Sequence, residues 1–175
     1  MRRTLCACAA LFVLLSCGPK AAEPTAVTKS EPPEERLYTA LRAGTYQTNA
    51  ALEAIREASD HAKPLSEAAE GEAKEALLDL LDLLDSSGRL LADHVEEPDR
   101  GKVAKEFNAS DDERLSAIED LGRAQDELTD ALETAEELEK AAPEPLKEEH
   151  ATIRTSIGEA KDAVTEGLAK LKMGG

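Results

Sequence analysis

Apolar residues recur at intervals of three and four along four segments of the chain, and proline or turn residues separate these segments. An α-helix turns once in about 3.6 residues, so this spacing places apolar side chains on one helix face. The pattern predicts helices over residues 33–62, 65–97, 110–142 and 145–172. Strong helix formers dominate all four segments, whereas the aromatic and β-branched residues typical of strands are scarce.

These four helices predict an all-α fold: an antiparallel up-down-up-down four-helix bundle over residues 34–173 with coiled-coil-like packing. Similar helix lengths and mostly short connections favour that topology, and alternating spacings of four and three favour shallow crossing angles. Pro64 leaves one point open, because a proline either ends a helix or kinks it. A kink would give one long helical hairpin that dimerises.

Positions within the predicted helices indicate which side chains are buried. Ser110 and Glu113 form a capping box, which marks the start of the third helix. Gln125 is a polar residue on the apolar face of that helix, where it would fix the register of packing. The predicted buried face of the first helix contains these residues: Leu37, Leu41, Thr45, Thr48, Leu52, Ile55, Ser59 and Ala62.

The first sixteen residues have a different organisation from the rest of the chain. Arg2 and Arg3 precede an uncharged apolar run from Leu5 to Leu15. This run is too short to span a bilayer, which takes roughly 20 apolar residues. A short basic stretch followed by such a run is typical of a secretory signal peptide. The sequence therefore predicts a signal peptide over residues 1–16.

The apolar run ends in Leu14-Leu15-Ser16-Cys17, followed by Gly18. This segment resembles the lipobox of bacterial lipoproteins, in which an aliphatic, a variable and a small residue precede the cysteine that starts the mature protein. The resemblance implies that the thiol of Cys17 carries diacylglycerol and that its amine carries a further acyl chain such as palmitate. It also implies a bacterial cell envelope location. The alternative is ordinary cleavage that releases a soluble protein.

Gly18 refines the expected location. Gram-negative lipoproteins with Asp at this position tend to stay in the inner membrane, so Gly18 resembles outer-membrane sorting, with the protein facing the periplasm or the cell surface. Residues 17–33 contain several prolines and no apolar period, which predicts a stiff lipidated tether. Cys6 and Cys8 leave with the leader and lipid occupies Cys17. No thiol then remains for a disulfide or a thiolate metal site.

Charge narrows the class of partner. The chain of 175 residues has a formal net charge of −16, and loss of Arg2 and Arg3 with the leader makes it −18. Such a surface repels phosphates, which argues against a nucleic-acid partner. It also repels anionic lipid, so attachment to the membrane must come from the acyl chains.

The residues that support catalysis or metal binding are few. Among the three histidines, His61 and His150 fall at the same predicted bundle end, where a site shared with a glutamate is one interpretation. Di-metal sites of bundles use a Glu three residues before a His, and neither of these histidines nor His94 has one. The chain also lacks the Cys-x-x-Cys-His motif of covalent haem. We therefore predict no catalytic, cofactor-binding or metal-binding residue.

The sequence thus favours a non-enzymatic cell-envelope lipoprotein whose acidic bundle is a structural or protein-interaction module. Its expected partners are the membrane, through the anchor, and an envelope protein or a second copy of the chain. The turns at Pro64 and Pro143 mark the bundle end farthest from the tether, the natural place for a partner. The alternative is a carrier of a small molecule or metal in the bundle core. An enzyme is a third interpretation, without a supporting motif.

Overall fold

A computed structural model describes residues 32–95 and 110–175, and these residues fold into four α-helices and one short 3₁₀ helix. The helices are α1 (Pro33–Ala68), α2 (Gly71–Ala92), α3 (Asp111–Ala141) and α4 (Lys147–Met173), and the 3₁₀ helix (Glu144–Leu146) precedes α4. The two described ranges contain no β-strand. The signal peptide, Cys17, almost all of the tether and the connection over residues 96–109 lie outside these ranges.

The four helices pack in a ring that follows their order in the chain. Each helix packs against the next, and α1 packs most extensively against α4, which closes the ring. The two diagonal pairs hardly meet within the described residues. The predicted antiparallel up-down-up-down bundle with coiled-coil-like packing is therefore confirmed. We call the end where α1 begins the proximal end, and the end with the α1–α2 and α3–α4 connections the distal end.

Leucine and isoleucine from α2, α3 and α4 supply most of the volume of the core. The largest of these side chains are almost completely shielded from solvent: Leu77, Leu80, Leu84, Leu91, Leu121, Leu128, Ile153, Ile157 and Leu171. The few polar side chains buried beside these residues are hydrogen-bonded, since no fully buried side-chain nitrogen or oxygen in the described ranges lacks a partner. The bundle interior is therefore a conventional close-packed apolar core.

The buried face of α1 differs from the predicted one because small residues occupy its centre. Ala51, Ala54, Ala58 and Ala62 are buried together with Ile55. The predicted leucines of this helix, Leu37, Leu41 and Leu52, are only half-buried. Of these, Leu41 and Leu52 pack against the core. Alanine at the centre lets α4 approach closely, and the longer leucine side chains cover the sides of that contact.

Two glycines mark the closest approach of α1 and α4, near the proximal end. A Cβ atom added to Gly44 would lie 2.8 Å from Cδ2 of Leu171. A Cβ added to Gly167 would lie 3.1 Å from Cδ2 of Leu121 and 3.8 Å from the carbonyl oxygen of Gly44. An alanine side chain at Gly44 would overlap Leu171, whereas one at Gly167 would require its neighbours to shift by a few tenths of an ångström.

We expect Gly44→Ala to lower the free energy of unfolding by about 1 kcal/mol. Overpacking costs about 1–3 kcal/mol, which exceeds the gain of about 0.5–1 kcal/mol from removing a helical glycine. The matched control is Gly122→Ala, where an added Cβ meets nothing within 4 Å. That variant should be stabilised by the helix-propensity gain alone. Urea unfolding followed by circular dichroism measures both changes, and an equal stabilisation of both variants would refute the close contact.

Pro64 does not end α1, so the predicted helix boundaries at residues 62 and 65 are wrong. The helix runs through Pro64 to Ala68. Proline has no N–H to donate to the carbonyl of Asp60. Both residues lie on the exposed face, where water can donate a hydrogen bond to that carbonyl instead. The chain turns instead at Gly71, whose φ of 62° lies in the left-handed region that favours glycine. Since α2 packs back on α1, a single kinked helix does not form.

The other helix ends lie closer to the predicted ones. α2 ends at Ala92 rather than at residue 97, because the chain makes a tight turn in which the N–H of His94 donates to the carbonyl of Leu91. The Ser110–Glu113 capping box is present, with both of its hydrogen bonds 3.1 Å long. The 3₁₀ helix occupies the residues around Pro145, so α4 begins at Lys147 instead of at the predicted residue 145.

Candidate functional site

An apolar pocket of about 180 Å³ opens at the distal end of the bundle, between the α1–α2 and α3–α4 connections. Its wall includes residues from every helix or from the turns that join them. The aliphatic part of the wall contains Leu65, Ala69, Ala73, Leu77, Leu138 and Leu146. Leu146 is 39% exposed, which makes it one of the few large apolar side chains that reach solvent at this end.

Small residues at the helix ends explain why this pocket is open. Ala68 ends α1 and Ala141 ends α3, and Ala69, Ala73 and Ala142 follow close by in the wall. An alanine side chain is too short to fill the space between helix ends that diverge into turns. Elsewhere in the bundle, leucines and isoleucines fill the corresponding layers of the core.

His150 is the only polar side chain in the wall of this pocket. The residue is 6% exposed, and its ring makes no hydrogen bond within the described ranges. No fully buried side-chain nitrogen in those ranges lacks a partner. The ring nitrogens of His150 therefore keep some contact with solvent, which the pocket beside them admits.

The surroundings of His150 favour its neutral form. Burial lowers the pKa of His150 below its usual value of 6.5, and the nearby carboxylate of Glu139 opposes this shift only in part. At neutral pH the imidazole is therefore uncharged, with one N–H donor and one acceptor nitrogen. The pocket thus combines aliphatic walls with one neutral hydrogen-bonding group.

The lowered pKa of His150 predicts how stability depends on pH. Below pH 6.5 the unfolded chain binds a proton at this histidine more readily than the folded chain does. The free energy of unfolding should then fall as pH drops from 6.5 towards the folded-state pKa. Urea unfolding at pH 7.5 and 5.5 measures this loss, which should shrink in His150→Leu. The matched control, His61→Leu, changes an exposed histidine and should keep the loss attributed to His150. An undiminished loss in His150→Leu would contradict the assignment.

The structure separates the three histidines instead of bringing them into one site. The Nδ1 atom of His61 lies 2.8 Å from Oε2 of Glu149 on the exposed surface of the distal end. The Nε2 atom of His94 lies 2.9 Å from Oδ2 of Asp120 at the proximal end. His61 thus meets a glutamate as one interpretation of the sequence suggested, but His150 does not join this pair. No group of three or more potential metal ligands occurs in the described part of the chain.

Gln125 and Thr48, which are polar residues on the predicted buried faces of α3 and α1, make different kinds of hydrogen bond. The Nε2 of Gln125 donates to Oγ1 of Thr165 at 2.7 Å, which links α3 to α4 on the exposed surface and not in the core. Thr48 is buried, but its hydroxyl donates to the carbonyl of Gly44 in its own helix. It therefore contributes no hydrogen bond between helices.

Sequence patterns did not identify the contact that ties α3 to the C-terminal end of α4. Arg114 is buried, its Nη1 donates to the carbonyl oxygen of Leu171 at 3.1 Å, and its Nε donates to Asp111 at 2.7 Å. The carbonyl of Leu171 also accepts from the N–H of Gly174, so the guanidinium is a second donor to it and opposes the negative end of the helix dipole. The Asp111–Arg114 spacing of three residues is the sequence feature that could have indicated part of this contact, the local ion pair.

A second pocket, of about 250 Å³, lies at the proximal end. Asp93, His94 and Glu113 contribute polar groups to its wall, beside Leu41 and Leu121. His94 is already bonded to Asp120, so its imidazole has a protein partner. The distal pocket is therefore the stronger candidate, because its buried imidazole has no hydrogen-bond partner among the described residues.

Exposed glutamates lie close in sequence to residues of the distal pocket wall. Glu70 and Glu72 flank the start of α2, and Glu144 and Glu148 flank the start of α4. Lys147 offsets part of this charge through an ion pair with Glu144 at 2.7 Å. The rim is therefore acidic and hydrated, in contrast to the aliphatic interior of the pocket.

Within the described residues, no helix combines the length and the apolar composition that crossing a bilayer requires. Comparison of the chain with protein-family models, with curated proteins and with solved structures finds no match in any of the three. What the distal site does must therefore be inferred from the residues and geometry of this chain.

Proposed function

We propose that this protein is a non-enzymatic lipoprotein of a bacterial cell envelope and that its acidic bundle binds another envelope protein at the distal end. In this proposal the acyl chains on Cys17 hold the protein in the membrane, and residues 17–33 connect the anchor to α1. The observation that carries the proposal is the location of the apolar pocket and of the exposed Leu146. Both lie at the end of the bundle opposite to the residue where the tether joins α1.

Length and charge support this division between an attached end and a binding end. α1 contains 36 residues, and at about 1.5 Å per residue it separates the two ends by roughly 54 Å. The acidic surface repels anionic lipid headgroups and therefore favours a bundle that extends away from the membrane. The distal end would then meet proteins of the periplasm or of the cell surface.

The chemistry of the distal pocket supports binding in preference to catalysis. Its wall contains no Ser, Thr or Cys that His150 could activate as a nucleophile. An aliphatic pocket with a charged rim is a common arrangement in protein interfaces, where the apolar centre supplies affinity and the rim supplies specificity.

A photo-crosslinking amino acid placed at Leu146 tests this proposal in living cells. We expect a discrete adduct with an envelope protein, because Leu146 lies at the mouth of the distal pocket. The matched control is the same amino acid at Leu115, which is 51% exposed near the start of α3 at the proximal end. An adduct of two copies of the chain would establish self-association in place of a separate partner. Absence of any adduct at Leu146, or identical adducts at both positions, would contradict a distal binding site.

A further inference from the structure

The distal pocket combines two properties that a simple gap between helix ends does not need. Its walls are aliphatic over almost their whole area, and one buried imidazole in the wall has no hydrogen-bond partner among the described residues. The ring nitrogens stay open to the pocket, where water or a ligand can supply the hydrogen-bond partner that polar groups in folded proteins nearly always have. The pocket therefore offers both the space and the polar contact that a small ligand requires.

We propose that the distal pocket is a binding site for a small uncharged ring compound with one hydroxyl group, of which phenol is the simplest example. The ring would contact the aliphatic side chains of Leu65, Leu77 and Leu138. The hydroxyl group would bond to the imidazole of His150. This inference goes beyond the proposed function, since it needs neither the lipid anchor nor a protein partner.

The size of the pocket favours a single six-membered ring. An aliphatic cavity of about 150 Å³ in a protein core stays dry and holds one benzene molecule. The distal pocket has about 180 Å³, which leaves room for the same ring with one or two further heavy atoms. Larger ligands such as haem or fused polycyclic compounds need pockets of roughly 300 Å³ or more.

The polarity of the pocket favours an uncharged ligand with a hydroxyl group. The wall holds no charged side chain, and Glu139, the carboxylate that acts on His150, is already paired with Arg154. A carboxylate or an ammonium group would therefore lose its hydration against aliphatic side chains without a counter-ion in the wall, which is costly. A hydroxyl both donates and accepts, so it can bond to either tautomer of the neutral His150 imidazole.

Nuclear magnetic resonance on the full chain as isolated from cells tests this inference with phenol and benzene as probes. The signals to follow are the ring C–H groups of His150 and the methyl groups of Ala69 and Leu77. We expect saturable shifts with phenol and weaker binding of benzene. His150→Leu should weaken the affinity for phenol about fivefold, the usual effect of one neutral hydrogen bond, and should not weaken the affinity for benzene.

A second variant keeps the test decisive if His150→Leu alters the fold. Ala73 lines the pocket on an exposed part of α2, so Ala73→Leu fills the space without disturbing the core. We expect it to abolish binding of both probes. The matched control, Ala169→Leu, lies on an exposed face of α4 outside the pocket and should bind phenol as the unaltered chain does.

Three results would overturn the inference: no saturable binding of phenol, equal affinity of the unaltered chain for phenol and benzene, or unchanged binding in Ala73→Leu. None of them bears on the proposed function, which the crosslinking experiment at Leu146 tests separately. Conversely, absence of a crosslinked partner would leave the phenol titration as a valid test of the pocket.

Discussion

Replacing Cys17 with alanine is expected to move the protein from the membrane fraction of cells to the soluble fraction. Acyl chains bind a bilayer through the burial of their methylene groups, at about 0.8 kcal/mol each, and stable anchoring takes more than one chain. None of the described helices can replace that anchor by crossing the bilayer. The acidic surface adds repulsion from anionic lipid. Fractionation after a carbonate wash, followed by immunoblotting, measures the change.

The matched control for this variant is Cys8→Ala, which changes a cysteine of the predicted leader. Cys8 lies upstream of the predicted cleavage site, so its loss should leave both the acylation and the membrane fraction unchanged. If the Cys17→Ala protein remained in the washed membranes, attachment would depend on something other than lipid on this residue. The lipoprotein proposal would then be wrong.

The second large effect is expected in the core, where Leu84→Ala should lower the free energy of unfolding by about 2–5 kcal/mol. Leu84 is fully buried in α2, and truncating such a side chain loses its contacts and leaves a cavity. Since single domains are stable by only about 5–15 kcal/mol in total, this loss is a large fraction of the whole. Thermal or urea unfolding followed by circular dichroism measures it.

Leu78→Ala, in the same helix, provides the matched control for Leu84→Ala. Leu78 is 47% exposed, so the same chemical change there should alter the free energy of unfolding by no more than about 0.5 kcal/mol. Equal losses in the two variants would show that α2 does not turn Leu84 towards the bundle interior and Leu78 towards solvent. The four-helix packing would then need revision.

The sequence predicted the helical bundle well because the information that specifies it is local. The apolar period, the capping box at Ser110 and the turns all depend on residues close together in the chain. The end of α1 was misplaced for a physical reason. A proline inside a helix costs little when the carbonyl it frees faces water, and exposure at Pro64 depends on how the whole bundle packs.

The buried face of α1 shows a second limit of prediction from sequence. Periodicity selects the bulkiest apolar residues, and it therefore assigned Leu41 and Leu52 to the buried face. In the structure these leucines cover the edges of the contact, while Ala54 and Ala58 lie at its centre. Whether a small or a large residue belongs at that centre depends on how closely the partner helix approaches. Spacing within one helix carries no information on that distance.

The candidate site could be predicted only in part. The sequence placed His61 and His150 at the same bundle end and marked that end as a site for a partner. It could not reveal the pocket, which arises because alanines from two helix ends and two turns meet in space. Nor could it show that burial lowers the pKa of His150 while His61 stays exposed beside Glu149.

Mass spectrometry of the intact protein isolated from cells tests most directly whether it is a lipid-anchored bundle. We predict a polypeptide that begins at Cys17 and carries the added mass of a diacylglyceryl group, together with that of an acyl chain on its amine. Cleavage before Cys17 without added mass would indicate an ordinary secreted protein. An intact leader starting at Met1, or a mature chain starting elsewhere, would likewise contradict the lipoprotein assignment.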